Sequence, residues 1–412
     1  MGGTNLLEMK LHHRVILALA LISALTLSSC GRKPLLYNVK VAPDHITPNA
    51  DGDSDITLIE YSLARSAELS IYLVGPDGSR HYFRDRAPRA PREDYQVFLG
   101  GVINDRMLPD GDYTWFIEAV AADGERMEES GRLTLSEADT VFPEISQFTV
   151  HPPVFTPNRD GIGDRVRMNL YVEKDVEKLQ VFLLGEDGVR YPVEEEPGLR
   201  KQNEAGLHTY DYDAGVDLGA EPPPDGNYTV YAVANDWVGQ QHVVTSTLTI
   251  SDGGVPRAEI LQATVDWSSS SVILGNTLCF TLTVDNYGSV PIRTSGPAPG
   301  ILYESDENFN TTDYYEESGA WRVGIDFDTS LRNYPFRWAV GEPDQLVSVE
   351  RDGHTFYYLP AGARGRVYGC IRILSEPPRN PLYFWAGLIH EDVEISDVNN
   401  RVDPVSVEIQ VP

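Results

Sequence analysis

Two short loops carry side-chain oxygens at alternate positions, a spacing that could bind Ca²⁺. The candidate ligands are Asn49, Asp51, Asp53 and Asp55 in the first loop and Asn158, Asp160 and Asp164 in the second. Ca²⁺ takes roughly six to eight oxygen ligands, but Ile162 occupies the place of Asp53 in the second loop, and neither loop has the Gly and Glu of an EF-hand. The alternative, which the sequence favours, is a pair of Asx turns in which these oxygens accept backbone amides.

A segment rich in aromatic and acidic residues, residues 301–344, is a second candidate site. Aromatic faces beside carboxylates suit sugar rings or peptides, and a long insertion on a rigid scaffold is often a binding surface. The candidate ligand-binding aromatics are Tyr314, Tyr315, Trp321 and Trp338. The alternative, which the sequence favours, is that most of these aromatics fill the core of a domain or cover its edge.

No motif for enzymatic chemistry stands out. The chain has no HExxH metal motif, no GxSxG nucleophile elbow and no phosphate-binding glycine loop followed by Lys-Ser or Lys-Thr. Its 9 histidines are scattered without metal-ligand spacing. We therefore expect a protein that is not an enzyme and that has no cofactor other than the Ca²⁺ considered above.

Cys279 and Cys370 lie in two runs of alternating apolar and polar residues that are typical of strands. Their positions in these runs could place both thiols on the same outer face of neighbouring strands. An even pair of cysteines in an exported chain is most simply a disulfide, and closing a loop of about 90 residues would contribute roughly 4 to 5 kcal/mol. Two free thiols are the alternative.

The elements that would position these residues include a duplicated unit. The shared motifs are Thr-Pro-Asn-x-Asp-Gly (residues 47–52 and 156–161), an alternating apolar run ending in Asp-Gly (69–78 and 179–188) and Pro-Asp-Gly-x-Tyr-Thr (109–114 and 224–229). Alternation of apolar and polar residues between Asp-Gly turns is typical of β-strands. The sequence therefore predicts tandem β-domains.

This order of motifs resembles the immunoglobulin-like (Ig-like) domain of the flagellar hook-capping (FlgD-like) family, a module also found in exported bacterial proteins. The resemblance covers about residues 38–136 and 142–251. It implies two Ig-like sandwiches, which we assign to residues 38–139 and 140–252. Both copies lack the Trp and following Asp-Gly that the family often has in mid-domain, and nothing indicates a flagellar role.

Residues 253–412 do not repeat these motifs and are predicted to form a third domain. Its predicted strands include residues 278–284, 366–373, 382–389 and 405–411. The stretch VDNYGSVPIRTSGP resembles a strand and loop of bacterial Ig-like domains. We expect a C-terminal Ig-like β-sandwich that carries the aromatic segment as an insertion.

The first 29 residues have the features of an export signal. Basic residues precede an apolar run at residues 15–27, which is too short to span a bilayer as a helix. The run ends in Leu-Ser-Ser-Cys, which resembles the lipobox of bacterial lipoproteins and implies lipidation of Cys30, with a tether over residues 30–37. The alternative is an ordinary secretory signal with a chance cysteine. The predicted fold class is thus all-β, with tandem Ig-like β-sandwiches after a lipoprotein signal peptide.

The formal net charge of -29 argues against nucleic acid as a partner, because phosphate binding requires clustered Lys and Arg. The expected location is extracytoplasmic, with a lipid anchor in the cell membrane or an outer membrane. We expect a non-enzymatic envelope lipoprotein that acts as a structural, adhesion or protein-interaction module. The alternative function is a carbohydrate-binding accessory lipoprotein that uses its C-terminal domain.

Overall fold

The computed structural model of the protein describes residues 33–198 and 201–411. The predicted signal peptide, residues 1–29, and the predicted lipidation site Cys30 lie outside the described residues. The chain divides into two compact units, of which unit 1 extends to Glu144 and includes Lys174–Glu177 and Ala234–His242, and unit 2 contains the rest. In the described part of the chain, no helix is long and apolar enough to cross a membrane.

The first repeat folds into two facing sheets in which most neighbouring strands are antiparallel. Its strands are β1 (Leu36–Ala42), β2 (His45–Ile46), β3 (Thr57–Leu63), β4 (Ala67–Val74), β5 (Arg80–Arg89), β6 (Arg92–Leu99), β7 (Val102–Ile103), β8 (Arg106–Met107), β9 (Gly111–Ala121) and β10 (Arg126–Leu135). One sheet has the order β1-β3-β6 and the other β2-β10-β9-β4-β5, while β7 and β8 form a small ribbon. Leu69, Ile71 and Leu73 alternate along β4 and are fully buried in the core between the sheets.

The second repeat has the same topology, which confirms the tandem duplication. Its strands are β11 (Ile145–His151), β12 (Val154–Phe155), β13 (Val166–Val172), β14 (Lys178–Leu184), β15 (Arg190–Val193), β16 (Gly206–Tyr212), β17 (Gly226–Asn235) and β18 (Gln241–Ile250), with a 3-10 helix at Val216–Leu218. Its sheets have the orders β11-β13-β16 and β12-β18-β17-β14-β15. Each strand of these two sheets has a counterpart in the first repeat, so both repeats adopt the same sandwich fold.

The third domain is a larger sandwich. Its strands are β19 (Ala258–Ile260), β20 (Asp266–Trp267), β21 (Ser271–Ile273), β22 (Thr277–Asn286), β23 (Ile292–Thr294), β24 (Leu302–Glu304), β25 (Trp321–Phe327), β26 (Phe336–Ala339), β27 (Val347–Arg351), β28 (His354–Leu359), β29 (Arg364–Arg372), β30 (Leu382–His390) and β31 (Val402–Gln410), with 3-10 helices at Leu261–Ala263, Pro343–Gln345 and Asp397–Asn399. One sheet has the order β19-β22-β29-β24, with β20 also paired to β22. The other has the order β21-β31-β30-β25-β23-β28-β27, with β26 paired to β25.

The predicted disulfide is confirmed. Cys279 on β22 lies directly opposite Cys370 on β29 in the antiparallel register, and the two form a disulfide that closes a separation of 91 residues. Both side chains are half-buried, on the face of the sheet opposite to Phe280 and Leu282, which lie in the core.

The prediction that residues 301–344 form an insertion is wrong. This segment contributes β24, β25 and β26, and β25 lies in the interior of its sheet between β30 and β23. The tether is also shorter than predicted, because β1 begins at Leu36 and Leu35 is already fully buried.

Candidate functional site

The third domain has an open cleft with a volume of about 690 Å³. It lies beside β23 and β28, and the loop before β25 contributes Tyr314 and Glu317. Its polar lining includes Arg293 and His354, and its aromatic lining includes Phe356. The cleft therefore combines opposite charges with aromatic surface.

Strand pairing fixes the walls of the cleft. β23 pairs antiparallel with β28, so that Thr294 faces Tyr357, and Thr294 also pairs in parallel with Trp321 on β25. The Thr294 hydroxyl donates to the carbonyl of Trp321 at 3.0 Å and accepts the amide of Val340 at 2.6 Å. These bonds connect β23 to β25 and to the residue that follows β26, which gives the cleft a preformed wall.

Tyr314 is the one residue among the four predicted aromatics that lines the cleft. Its side chain is half-buried and packs against the core, and its carbonyl accepts a hydrogen bond from the Asn310 side chain at 2.9 Å. Tyr357 lines the cleft with 49% of its surface exposed, whereas Tyr315, with 62% exposed, is not among the lining residues. Tyr314 and Tyr357 can therefore present aromatic surface to a ligand.

Trp321 and Trp338 do not form a binding surface, so this part of the prediction is wrong. Trp338 is fully buried, donates to the carbonyl of Ile301 at 3.0 Å, and covers Gly369, where an added Cβ would lie only 2.4 Å from the indole. Trp321 is 6% exposed and stacks on His390 at a ring distance of 4.3 Å. Both indoles face the core because alternate residues of β25 and β26 point inward.

A cluster of buried charges lies behind the cleft. Glu391 accepts hydrogen bonds from Arg337 at 2.7 and 2.8 Å and from Arg322 at 3.2 Å. Arg322 is fully buried, Arg337 is 8% exposed and Glu391 is 3% exposed. Burial lowers the pKa of the Arg322 guanidinium, and the carboxylates of Glu391 and Glu317 oppose this shift.

Arg293 and Glu317 connect this cluster to the cleft. The Arg293 Nη1 donates to Glu317 at 3.2 Å and its Nη2 donates to the carbonyl of Ser318 at 2.5 Å. The Ser295 hydroxyl donates to the other oxygen of Glu317 at 2.6 Å, which also lies 3.7 Å from Arg322. The Glu317 side chain remains 45% exposed, so its carboxylate can accept further hydrogen bonds from a ligand.

Arg293, Glu317 and Arg322 are not among the site residues that the sequence predicts. The available signal was a charged residue inside a short apolar strand, as at Arg322 in the run Trp-Arg-Val-Gly-Ile. A charge at such a position is rarely fully buried unless it is paired. That signal indicates a buried partner but does not identify it.

The two predicted calcium loops have the hydrogen bonds of Asx turns. In the first loop, Asp55 accepts the amides of Asn49, Ala50 and Gly52 at 2.7 to 3.1 Å. The Asn49 side chain accepts the amide of Asp51 at 3.0 Å, and the Asp51 side chain accepts that of Asp53 at 2.8 Å. These oxygens therefore already accept hydrogen bonds from backbone amides of the loop.

The second loop repeats these bonds with Asp164, Asn158 and Asp160 as acceptors. Burial raises the pKa of the Asp164 carboxyl, and the amides that it accepts oppose the shift. Among the described residues, no group of three or more His, Cys, Asp or Glu side chains could hold a metal ion. The Asx turns account for both repeated motifs.

Within unit 2, the second loop packs against the third domain. The Tyr358 hydroxyl donates to Asp160 at 2.8 Å, and His390 Nε2 lies 2.8 Å from the carbonyl of Arg159, to which it can donate. Gly161 approaches so closely that an added Cβ would lie 2.1 Å from the carbonyl of Ser318. Burial raises the pKa of the Asp160 carboxyl and lowers that of His390 to about 4. This buried polar contact joins the second sandwich to the domain that carries the cleft.

Comparisons with known proteins give no family. No family model matches the chain, and no curated protein matches it. Among solved structures, it is similar to a Ca²⁺-stabilised adhesin with which an Antarctic bacterium binds ice, at 12% identity and a TM-score of 0.22, over 92% of this chain and 74% of that one.

Two further structures give similar values. A tetra-tandem repeat from the extending region of a large adhesion protein has 13% identity and a TM-score of 0.17, over 90% of this chain and 73% of that one. The α2-macroglobulin of E. coli has 11% identity and a TM-score of 0.19, over 92% of this chain and 23% of that one. Scores this low do not establish a common fold, and the architecture rests on the strand pairings described above.

Proposed function

We propose that this chain is a non-enzymatic, extracytoplasmic binding protein in which tandem Ig-like sandwiches carry a ligand-binding C-terminal domain. The observation that carries the proposal is the preformed cleft of about 690 Å³ on that domain. Clefts of this size with convergent polar groups and aromatic walls are the usual form of ligand sites. The disulfide supports an extracytoplasmic location, because such bonds persist in oxidising compartments.

The proposal includes a lipid anchor at Cys30. Its support is the Leu-Ser-Ser-Cys motif after a short apolar run, together with a folded domain whose first strand begins at Leu36. Several acyl chains would hold the protein firmly at a membrane, whereas a single chain binds reversibly. The two repeats, which resemble the FlgD-like Ig domain, would then separate the C-terminal domain from the membrane or contact other envelope proteins.

The anchor is tested by expressing the full chain in a bacterium and measuring the intact mass and membrane partitioning of the product. We expect a chain that begins at Cys30 and carries lipid-sized added mass. In the Cys30→Ala variant, we expect that added mass to be absent and the protein to leave the membrane fraction. A wild-type product without lipid would show a freely secreted protein and would refute the anchor.

A more specific candidate function is carbohydrate binding in the cleft. Tyr314, Phe356 and Tyr357 supply aromatic surface for the apolar faces of sugar rings, and the half-exposed Glu317 carboxylate can accept their hydroxyls. Because Trp321 and Trp338 are buried, substituting them would test folding and not binding.

The carbohydrate function is tested on a glycan array with the full mature chain and two tyrosine variants. Tyr314→Ala, which removes a ring from the cleft, should reduce binding at least tenfold. Tyr315→Ala removes an exposed ring that does not line the cleft, so it should leave binding unchanged. Equal effects of the two variants, or binding to no glycan, would exclude this candidate.

A further inference from the structure

An edge strand of the first repeat is strongly basic although the chain as a whole is acidic. This strand, β5, has four arginines and only one acidic residue, Asp85, whereas the formal net charge of the chain is -29. We call β5 the arginine strand, after Arg80, Arg84, Arg86 and Arg89. Arg80 and Arg86 are exposed, and the other two are half-buried. At physiological ionic strength the Debye length is about 8 Å, so acidic surface farther away than this is largely screened from these side chains.

The arginines of this strand are not neutralised by carboxylates. Among the described residues, none of the four forms an ion pair, whereas three other arginines of the same repeat do, namely Arg65, Arg92 and Arg126. Two of the four lie over aromatic rings instead. Arg80 is 5.2 Å from the ring centroid of Tyr72, and Arg84 is 5.5 Å from that of Phe83. The positive charge of β5 is therefore free to attract an anionic partner.

The second repeat shows that the fold does not require this charge. The counterpart of β5 there is β15, which is also at the edge of its five-stranded sheet. It contains one arginine, Arg190, and is followed by Glu194, Glu195 and Glu196. Charges on an edge strand hinder its pairing with strands of other molecules, but acidic residues do this as well. Protection of the edge therefore does not explain four arginines in the first repeat alone.

The arginine strand leads into the end of the repeat from which the predicted lipid anchor extends. Lys33 Nζ donates to Glu93 at 2.6 Å, and Glu93 follows the arginine strand closely, near the start of β6. Only Gly31 and Arg32 stand between Cys30 and Lys33, and a fully extended chain spans at most about 3.5 Å per residue. A lipidated Cys30 would therefore hold Lys33, and with it this end of the repeat, within about 10 Å of the membrane surface.

The backbone of the arginine strand favours contact with a surface over pairing with a peptide strand. The register between β4 and β5 shifts twice between Leu69 and Tyr72, and Arg86 has a φ of 46° with its amide donating to the Ser70 hydroxyl at 3.1 Å. Pro88 has no N–H group. Bulges and proline hinder the addition of another strand, so a partner is contacted through the side chains.

The side chains of β5 suit a phospholipid headgroup. A guanidinium binds phosphate oxygens through charge-assisted hydrogen bonds. Tyr82, which is 37% exposed, has an apolar ring and a polar hydroxyl, and tyrosine is enriched at membrane interfaces for this reason.

We propose that the arginine strand contacts the anionic phospholipid headgroups of the membrane that holds the anchor. This inference rests on the lipid anchor proposed above. Each basic residue near an anionic membrane strengthens binding roughly fivefold, so several arginines add substantially to the hold of the acyl chains. The first repeat then takes part in membrane binding and is not only a spacer.

The test measures co-sedimentation of the unlipidated mature chain, residues 31–412, with vesicles of two compositions. One contains phosphatidylglycerol and phosphatidylcholine in equal parts, and the other contains phosphatidylcholine alone. We expect binding to the mixed vesicles at about 0.1 M salt and its loss at about 1 M salt, where the Debye length falls to about 3 Å, with no binding to phosphatidylcholine alone. Equal binding to the two kinds of vesicle, or binding to neither, would overturn the inference.

Two double variants with the same change in charge locate the contact. Arg80→Gln with Arg86→Gln removes two exposed charges from the arginine strand and should weaken binding to the mixed vesicles at least tenfold. Arg126→Gln with Arg132→Gln removes two exposed charges from β10, which β9 and β4 separate from β5 in the same sheet. This control should leave binding nearly unchanged, and equal losses in the two double variants would overturn the inference.

The vesicle experiment and the anchor experiment can fail separately, because the chain used with vesicles carries no lipid. Absence of vesicle binding would overturn the inference and leave the anchor, which the intact mass of the wild-type product tests. Retention on a sulfated-polysaccharide column without vesicle binding would also overturn the inference, because the partner would then be a soluble polyanion.

Discussion

The sharpest stability prediction concerns the pairing of Glu391 in the third domain. Its carboxylate is 3% exposed and is the shared partner of Arg322 and Arg337 at 2.7 to 3.2 Å. In Glu391→Gln the side chain keeps its shape but loses its charge. Its new amide group also places N–H donors against the N–H donors of Arg322 and Arg337. Two buried guanidinium groups would then lack their main counter-ion.

The expected cost follows from this geometry. Removing one partner of a buried ion pair costs about 3–5 kcal/mol, because the remaining charge stays buried without compensation. For a domain of this size, each kcal/mol lowers the melting temperature by roughly 2–4 °C, so we expect a fall of about 10 °C. Differential scanning calorimetry of the full mature chain measures it, and the transition of the third domain is the one that moves when the disulfide is reduced.

A matched control lies in the same domain. Glu304 pairs with Arg372 at 3.2 Å, but both side chains are 41% exposed, so Glu304→Gln should cost less than about 1 kcal/mol. If Glu391→Gln shifts the transition no further than Glu304→Gln does, Arg322 and Arg337 do not depend on Glu391 as a buried counter-ion.

Three further predictions concern the disulfide, one histidine and the loops. Replacing Cys279 and Cys370 together with Ala should lower the stability of the third domain by about 4–5 kcal/mol in urea unfolding, and an unchanged midpoint would contradict this. The folded pKa of His390 is about 4 against an ordinary 6.5, so between these values the unfolded chain binds a proton that the folded chain does not. Stability should therefore fall by about 3 kcal/mol as the pH falls from 6.5 to 4. This loss of stability should be smaller in His390→Gln and unchanged in a variant of the exposed His354. Equal pH profiles of stability for the two variants would exclude His390 as its cause. Because the loop carboxylates already accept backbone amides, adding Ca²⁺ or EDTA should leave the melting temperature unchanged, and a clear rise with Ca²⁺ would restore the metal hypothesis.

The repeats and the disulfide could be predicted because each depends on local patterns. Strands with one face in the core alternate clearly, as in β4, and the Asp-Gly turns mark where they end. Residue parity was sufficient to place Cys279 and Cys370 on the same face of their strands, and the structure brings them opposite each other. These patterns can be recognised in the sequence without any knowledge of the tertiary structure.

The strands within residues 301–344 could not be predicted, because β25 is covered on both faces. Alternate residues Trp321, Val323 and Ile325 face the main core, while Gly324 on the other face lies against Tyr334, which forms a smaller cluster with Trp385 and Ile389. With both faces buried, the strand loses the alternation by which strands are recognised. The acidic residues between the aromatics then made the segment resemble an exposed loop.

The cleft itself depends on contacts that are distant in sequence. Arg293 and Glu317 come from different segments and meet only because β23 inserts between β25 and β28. The packing of Asp160 against Tyr358 spans 198 residues, although the same motif in the first repeat leaves Asp51 exposed. Similar loop sequences therefore gained different surroundings from the domains around them.

Hydrogen–deuterium exchange of the full mature chain tests whether the cleft is the ligand site. Exchange is compared with and without a soluble oligosaccharide fraction from a bacterial envelope. We expect the ligand to slow exchange in β23, in β28 and in the residues next to Glu317 and to leave the two repeats unchanged. No protection, or protection confined to the two repeats, would contradict it.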